Sequence, residues 1–252
     1  MSENAQTTGR ASRKARWLAV ILGLVGLVVL LGLGTWQVER LQWKEALLAT
    51  IEQRTHAAPE PLADIEKRFA QTGDVDYWPV TATGSFLHSG ERHFFATHEG
   101  EAGYFVYTPL RLADGRFVFV NRGFVPDHLK DPVKRPQGQV EGEVTVNGLA
   151  RNPLSEKPSS LVPDNEPAKN LFFWKDRDMM AATAGLPAGA VVLPFFIDAD
   201  KTPNPGGLPV GGVTIVDLPN NHLQYVVTWY GLAAALAGVL GTWLWRTRGR
   251  AG

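Results

Sequence analysis

Two long runs without a charged residue dominate the hydrophobic pattern of this 252-residue chain, one near each end. The first extends from Trp17 to Trp36 and the second from Tyr225 to Trp245. At a rise of about 1.5 Å per residue, twenty or so helical residues cover roughly 30 Å, the thickness of a bilayer hydrocarbon core. Aromatic residues at the ends of both runs are typical of membrane interfaces. The pattern predicts two transmembrane helices, over 17–37 and 223–245. The first run is too long for the apolar region of a signal peptide and no small-residue cleavage site follows it, so we expect an uncleaved anchor.

Basic residues flank the outer ends of both runs and indicate how the chain is oriented. Those before the first run and after the second are Arg10, Arg13, Lys14, Arg16, Arg246, Arg248 and Arg250. The positive-inside rule therefore predicts cytoplasmic tails over 1–16 and 246–252, with 38–222 on the far side of the membrane. That side is the periplasm of a bacterium or the intermembrane space of a mitochondrion. The N-terminal tail is a poor transit peptide, so we expect the bacterial inner membrane, with membrane lipid as a partner.

The segment between the runs changes from helical to strand periodicity. Apolar residues continue at helical spacing to about Arg54, and a short helix is predicted over 62–69. A further helix should begin after Asp176 as N-cap and end at Gly185. Alternating or β-branched runs predict strands over 79–86, 104–112, 117–122, 144–150, 191–197 and 213–218. We therefore expect one β-rich α+β domain, partly barrel-like, over 38–222, with a flexible linker over 199–212.

Small residues follow one face of the second apolar run. They are Gly231, Ala234, Ala235, Gly238, Gly241 and Thr242, spaced by three and four positions. Such a face lets another helix approach closely. It predicts packing either against the first run of the same chain, the simpler interpretation, or against a helix of a partner protein.

Composition and motifs exclude several classes of function. The chain carries 25 basic and 25 acidic residues, so it lacks the clustered positive charge of a nucleic-acid-binding protein. With no cysteine, it forms no disulfide and has no thiolate chemistry. The sequence contains no Gly-x-Ser-x-Gly, His-Glu-x-x-His or phosphate-binding loop motif, which disfavours a membrane-tethered hydrolase.

Six histidines are the remaining candidates for chemistry. His88, His93 and His98 are five residues apart, which matches no zinc motif and puts His93 on the opposite strand face from the other two, so solvated loop histidines are the simplest interpretation. His56 and His128 lie beside prolines in loop-like sequence. His222 differs, because it immediately precedes the second apolar run and so lies at the membrane surface. From composition alone it is either a polar residue at a helix end capped by Asn220 or Asn221, or an imidazole ligand for a cofactor such as haem.

Five stretches, in order along the chain, give it a resemblance to a known family. They are LGTWQVERLQWK (33–44), PVTATGSF (79–86), VNRGFVP (120–126), LARNP (149–153) and NNHLQYVVTWYGLA (220–233). Together they resemble the SURF1 family, assembly factors for haem-copper cytochrome c oxidase, and the likeness spans both apolar runs. Phe124 departs from the pattern, since the family usually shows Trp there; the change conserves an aromatic ring.

The resemblance implies a function and a site. Family members help to insert haem a into oxidase subunit I, so the expected partners are subunit I and haem a synthase, and no enzymatic activity is implied. The histidine of the NNHLQY stretch is the family's proposed haem ligand, which corresponds to His222. Our own inference adds an aromatic surface from Trp36, Trp43, Trp229 and Tyr230, with Arg40 and Lys44 to pair with the haem propionates.

Two alternative functions remain open at the level of sequence. In the first, the protein is a haem-free scaffold that stabilises an oxidase assembly intermediate, and His222 is structural. In the second, it is a two-pass periplasmic sensor. Its tails of 16 and seven residues leave no room for an output domain, so a sensor would need a separate signalling partner.

Overall fold

The computed structural model describes residues 13–214 and 219–248. These residues form helices α1 (Arg13–Thr55), α2 (Leu62–Thr72), α3 (Arg177–Thr183) and α4 (His222–Arg248). The strands are β1 (Glu60–Pro61), β2 (Pro79–Phe86), β3 (Arg92–His98), β4 (Glu101–Leu112), β5 (Phe117–Pro126), β6 (Glu143–Arg151) and β7 (Val192–Ala199). The described residues divide into two compact units: the helical unit, within 1–49 and 217–252, and the barrel unit, within 50–216.

The helical unit consists of the two long apolar helices. Both are long and apolar enough to cross a membrane, over Lys14–Thr55 and His222–Thr247. The less exposed positions of α4 recur at alternating spacings of four and three, at 222, 226, 229, 233, 236, 240 and 243. In α1 the matching positions are 23, 27, 30, 34 and 37. This heptad-like spacing gives each helix one continuous stripe, and the two stripes pack against each other.

Glycines of α1, rather than those of α4, make the close contacts between the helices. A Cβ added at Gly23 would lie 2.6 Å from Leu240 Cδ1. By contrast, a Cβ added at Gly231, Gly238 or Gly241 would meet no described atom within 4 Å. The prediction that the small-residue face of α4 packs on the first apolar run is therefore wrong. Large side chains of α4 fit against small residues of α1, and this leaves the small face of α4 on the other side of the helix.

The barrel unit is a five-stranded closed barrel. The sheet order is β1-β2-β6-β7-β5-β4-β3, and an additional pairing of β2 with β4 closes the ring β2-β6-β7-β5-β4. All pairs in the ring are antiparallel except β5 with β7. At the closure, Gly84 pairs with both Leu112 and Val144. A Cβ at Gly84 would lie 2.3 Å from the Arg111 carbonyl oxygen, so only glycine permits this approach of three strands.

Hydrophobic clusters lie on both faces of the central strands. Inside the barrel, Val118 and Val120 of β5 pack with Phe195 of β7, in a core that also contains Ile65 of α2. On the outer face, Phe119 and Phe196 pack with side chains from β4, α3 and the loop before α3, which include Tyr107, Met180 and Phe172. Burial on both faces explains why β5 is almost continuously apolar instead of alternating.

Several helices and strands predicted from periodicity are present in the structure. The continuation of the first run as a helix to about residue 54, the helix predicted over 62–69 and the strand predicted over 79–86 are confirmed. Asp176 is the N-cap of α3, accepting a hydrogen bond from the Met179 N–H. The predicted strand over 213–218 falls partly on residues 215–218, outside the described part of the chain.

The segment 199–212 is not the flexible linker that the sequence suggested. Phe124 and Val210 exchange two backbone hydrogen bonds, at 2.9 and 2.8 Å. A Cβ at Gly123 would lie 1.9 Å from the Val210 carbonyl oxygen, and Gly123 has a φ of 123°, so the contact depends on glycine. Backbone hydrogen bonds thus fix this segment along the edge of β5.

Candidate functional site

A hydrogen bond joins α1 to the first residue of α4. Gln37 Oε1 lies 2.7 Å from His222 Nδ1, although 185 residues separate the two in the chain. Gln37 is only 8% exposed, because it lies on the stripe of α1 that packs against α4. His222 is half-buried, and its backbone N–H donates to Asn220 Oδ1 at 3.4 Å. The Asn220 side chain thus contacts the first residue of α4, and the imidazole has a second, interhelical contact that the sequence did not indicate.

Tyr230 forms a second contact between the same two helices. Its hydroxyl lies 3.1 Å from Thr35 Oγ1. The Tyr230 ring lies so close to α1 that a Cβ at Gly34 would be 2.8 Å from Cε1. Tyr230 is therefore a packing residue between the helices as well as a partly exposed aromatic surface.

Trp36 and Trp43 of the predicted aromatic surface lie on a different face of α1 from Gln37. The Arg40 guanidinium stacks over Trp43 at 4.6 Å from the ring centroid, which is a cation–π contact. Trp36 and Trp43 are about half exposed and share this face, since residues four and three apart lie on one side of a helix. Trp229 is half-buried on the stripe that contains His222. The site thus has a polar seam, made by Gln37 and His222, beside an exposed aromatic and cationic face.

Lys44 lies seven residues beyond Gln37 and is half-buried. Because seven residues correspond to almost two helical turns, Lys44 belongs to the stripe of Gln37 rather than to the face of Arg40. Of the two cations proposed to pair with the haem propionates, Arg40 therefore lies on the exposed face of α1 and Lys44 on the stripe that contains Gln37.

The barrel unit contains a buried charge cluster that sequence analysis missed. His93 Nε2 lies 2.7 Å from Glu91 Oε1, which also accepts a hydrogen bond from Arg135 Nη2. All three side chains are buried. Burial alone would raise the pKa of Glu91, but the hydrogen bonds from His93 and Arg135 outweigh it and hold this pKa below its usual value. The interpretation of His93 as a solvated loop histidine is wrong, because His93 is a buried residue of β3 and pairs with Glu91, which lies just before the strand.

The other two histidines of that group are also only partly exposed. His88 Nε2 lies 2.8 Å from the Val140 carbonyl oxygen, and His98 packs against Phe124 with 5.2 Å between ring centroids. Each of the three has a different protein partner. The described contacts give them structural roles in the barrel unit.

The family-like stretches of the barrel unit contribute hydrogen bonds that connect its loops to its strands. Arg122 is 1% exposed and donates to the Gly138 carbonyl and Asn204 Oδ1 at 2.5 and 3.1 Å, and burial lowers its pKa to about 10. Asn152 donates to Asp74 Oδ1 at 2.9 Å and accepts from the Val75 N–H at 2.9 Å. These stretches therefore stabilise the barrel, whereas the first and last stretches meet in the helical unit.

A pocket of about 470 Å³ opens in the barrel unit beside the end of α1. Its lining includes His56, Lys201, Asp198 and Asp200. Asp198 is already satisfied, since it accepts hydrogen bonds from Asn121 and Thr214. Two carboxylates against one lysine make this pocket electrostatically unfavourable for the carboxylates of a haem. The seam at His222 is the better candidate site.

Comparison with known proteins supports the resemblance in the sequence. A model of the SURF1 family matches residues 24–234. Surfeit locus protein 1 of Rattus norvegicus is 42% identical over 222 residues, covering 81% of this chain and 68% of the relative. Surfeit locus protein 1 of Homo sapiens is 38% identical over 253 residues, covering 93% and 80%. A SURF1-like protein of Monosiga brevicollis is 40% identical over 235 residues, covering 88% and 84%.

Proposed function

This chain belongs to the SURF1 family, and we propose that it is an assembly factor for haem-copper cytochrome c oxidase that binds haem a as cargo. In this proposal it passes the haem to oxidase subunit I and catalyses no reaction itself. Haem a synthase is the proposed source of the cargo. The proposal assigns this role to the seam of Gln37 and His222 in the helical unit.

The observation that carries the proposal is the contact between Gln37 and His222. The two most specific family-like stretches lie at opposite ends of the chain, and this hydrogen bond joins them within the helical unit. Two distant segments that meet at a half-buried imidazole form a site rather than two separate helix ends. An imidazole is the side chain that most often binds haem iron.

The residues around His222 are chemically suited to a haem. His222 Nε2 has no hydrogen-bond partner among the residues that the structure describes, so one ring nitrogen is free to bind iron. Trp229 follows on the same face of α4, about two turns along. Arg40 lies three residues after Gln37 in α1 and is exposed. Its guanidinium pairs well with a carboxylate. An apolar helix surface edged by cations matches a cargo that is apolar except for its propionates.

We further propose that the protein lies in the bacterial inner membrane with both tails in the cytoplasm and the barrel unit in the periplasm. Two helices of spanning length support this arrangement, together with Lys14 and Arg16 before the first and Arg246 after the second. In this orientation His222 lies at the periplasmic membrane surface, where Trp36 and Tyr225 belong to the interfacial belt.

A haem-free scaffold is the second candidate function, and one observation favours it. Gln37 Oε1 and His222 Nδ1 already form a hydrogen bond between the two helices, so this contact has a structural role without any cargo. In that case His222 would stabilise the helical unit, and the protein would act by holding an oxidase intermediate.

Complementation of a gene deletion tests the proposed function. We expect the deletion strain to lose cytochrome c oxidase activity while respiration continues through other terminal oxidases. Wild-type protein should restore the activity, and His222→Ala, expressed at the same level in the membrane, should restore little of it. Full oxidase activity in the deletion strain would contradict any assembly role. Full rescue by His222→Ala would support the scaffold instead.

A further inference from the structure

We propose that Gln37 is a positioning residue, which holds the His222 ring with its proton on Nδ1 so that the lone pair of Nε2 is available to haem iron. The inference rests on the proposed function and concerns the same site. It assigns a role to a residue that has no metal-binding chemistry of its own.

The side-chain amide of Gln37 has one accepting atom, Oε1, and one donating group, Nε2. The atom of Gln37 that faces the ring is Oε1, at 2.7 Å from Nδ1. A carbonyl oxygen accepts hydrogen bonds and cannot donate them, so the proton of the pair must be on Nδ1. A neutral imidazole carries one N–H, and Nε2 is therefore the unprotonated nitrogen.

The burial of Gln37 strengthens its influence on the tautomer of His222. Its side chain is 8% exposed, so water competes poorly for either partner. Loss of the contact would leave the buried amide oxygen without this hydrogen bond, which is unfavourable. Neighbouring contacts also fix the two helices, because Tyr230 packs against Gly34 and bonds to Thr35 one turn away. The ring therefore has both a defined tautomer and a defined orientation.

This arrangement is the one that metal-binding histidines use. A ligating imidazole generally donates its other N–H to a carbonyl or carboxylate, which fixes the ring and raises its basicity. In this chain the partner is an amide from the other helix. The ability of His222 to bind haem iron therefore depends on the packing of α1 against α4.

The test uses full-length protein in mild detergent, with ¹⁵N in the histidine rings. Long-range ¹H–¹⁵N spectra report which ring nitrogen carries the proton. His222→Ala assigns the signal. We expect the Nδ1–H form in the wild type. Gln37→Met keeps the length of the side chain but not the carbonyl, and should shift His222 toward the Nε2–H form. Gln37→Glu retains an acceptor and should restore the Nδ1–H form.

Affinity for haem a, added in titrations followed by visible absorption, is the second readout. We expect Gln37→Met to weaken binding by roughly 10–100-fold, as for other partners of ligating histidines, and Gln37→Glu to recover most of it. Thr242→Val is the control, because it removes a side-chain hydrogen bond of α4, to the Gly238 carbonyl at 2.9 Å, at the other end of the helix from His222. It should leave the tautomer unchanged.

The outcomes separate this inference from the proposed function. If the wild type binds haem a through His222 but carries the proton on Nε2 before binding, Gln37 does not have this role although the function stands. The same holds if Gln37→Met is folded, as shown by an unchanged near-UV circular dichroism spectrum, and alters neither the His222 tautomer nor the affinity for haem a. An Nδ1–H ring in a protein that never binds haem a would overturn both.

Discussion

The ring of Tyr230 occupies the space that a side chain at Gly34 would need, since a Cβ there would lie 2.8 Å from Cε1. The same tyrosine bonds to Thr35 through its hydroxyl. This contact lies one turn from Gln37 and keeps α1 close to α4 where the imidazole is held. Helix pairing and ligand presentation are therefore linked in one short region.

Substitution of Gly34 by valine should separate the helices locally. We expect a loss of about 1–3 kcal/mol in the stability of the helical unit, because the added methyl groups overlap the Tyr230 ring. An SDS titration in mixed micelles, followed by near-UV circular dichroism, measures it. Gly32→Val is the matched control in the same helix, since a Cβ there meets no described atom within 4 Å. Equal losses in both variants would argue against a specific role for Gly34.

Closure of the barrel should depend on Gly84. A Cβ at this position would lie 2.3 Å from the backbone oxygen of Arg111, which no side-chain movement relieves. We expect Gly84→Ala to cost at least about 1–3 kcal/mol of unfolding free energy. Urea titration of the full chain in detergent measures it, read by tryptophan fluorescence, to which the barrel unit contributes Trp78 and Trp174. The exposed neighbour Ser85→Ala should change stability by less than about 0.5 kcal/mol, and a similar cost for both would contradict the closure geometry.

The buried Glu91 cluster should make the barrel unit sensitive to acid. Because the folded pKa of Glu91 is lowered, its contribution to stability is present above the unfolded pKa, about 4.3. That contribution is lost as pH falls through the folded pKa. Glu91→Gln removes the charge that faces Arg135 and should cost about 1.5–3 kcal/mol at neutral pH.

Urea midpoints of the wild type and Glu91→Gln, measured from pH 7 downwards, test this expectation. The difference between the two proteins should shrink steadily below about pH 4.3, since protonation removes the same charge from the wild type. A difference that stays constant into acid would show that Glu91 acts by shape and not by charge.

Much of the fold follows from the sequence, but some packing does not. Uncharged runs predicted the long helices, and alternation predicted β2 and β6, because each pattern reflects burial of one stripe or face. The small-residue face of α4 led to a wrong prediction of its packing partner, since small residues indicate where a helix can approach but not which helix it contacts. In the structure Gly23 and Gly34 supply the space and α4 supplies the large side chains.

The candidate site was predicted in part. His222 stood out by its place before an apolar run and by the family-like stretch that contains it. Gln37 was missed, because an amide in an amphipathic helix has no signature until its partner, 185 residues away, is known. The prediction for His93 was wrong for a similar reason. Arg135, which completes the buried cluster of His93 and Glu91, is 44 residues from Glu91 in the chain. Sequence spacing shows which residues share an element and not which elements meet.

The visible spectrum of the full-length protein, purified in mild detergent from cells that make haem a, tests the central claim most directly. We predict a haem a Soret band that is lost in His222→Ala, with the variant still present in the membrane at the wild-type level. Thr242→Val, purified in parallel, should retain the band, because its hydroxyl bonds within the far end of α4. A band that survives in His222→Ala would place the ligand elsewhere. The absence of any band from the wild type, with haem a demonstrably present in the same membranes, would contradict a haem-carrying role and leave His222 as a structural partner of Gln37.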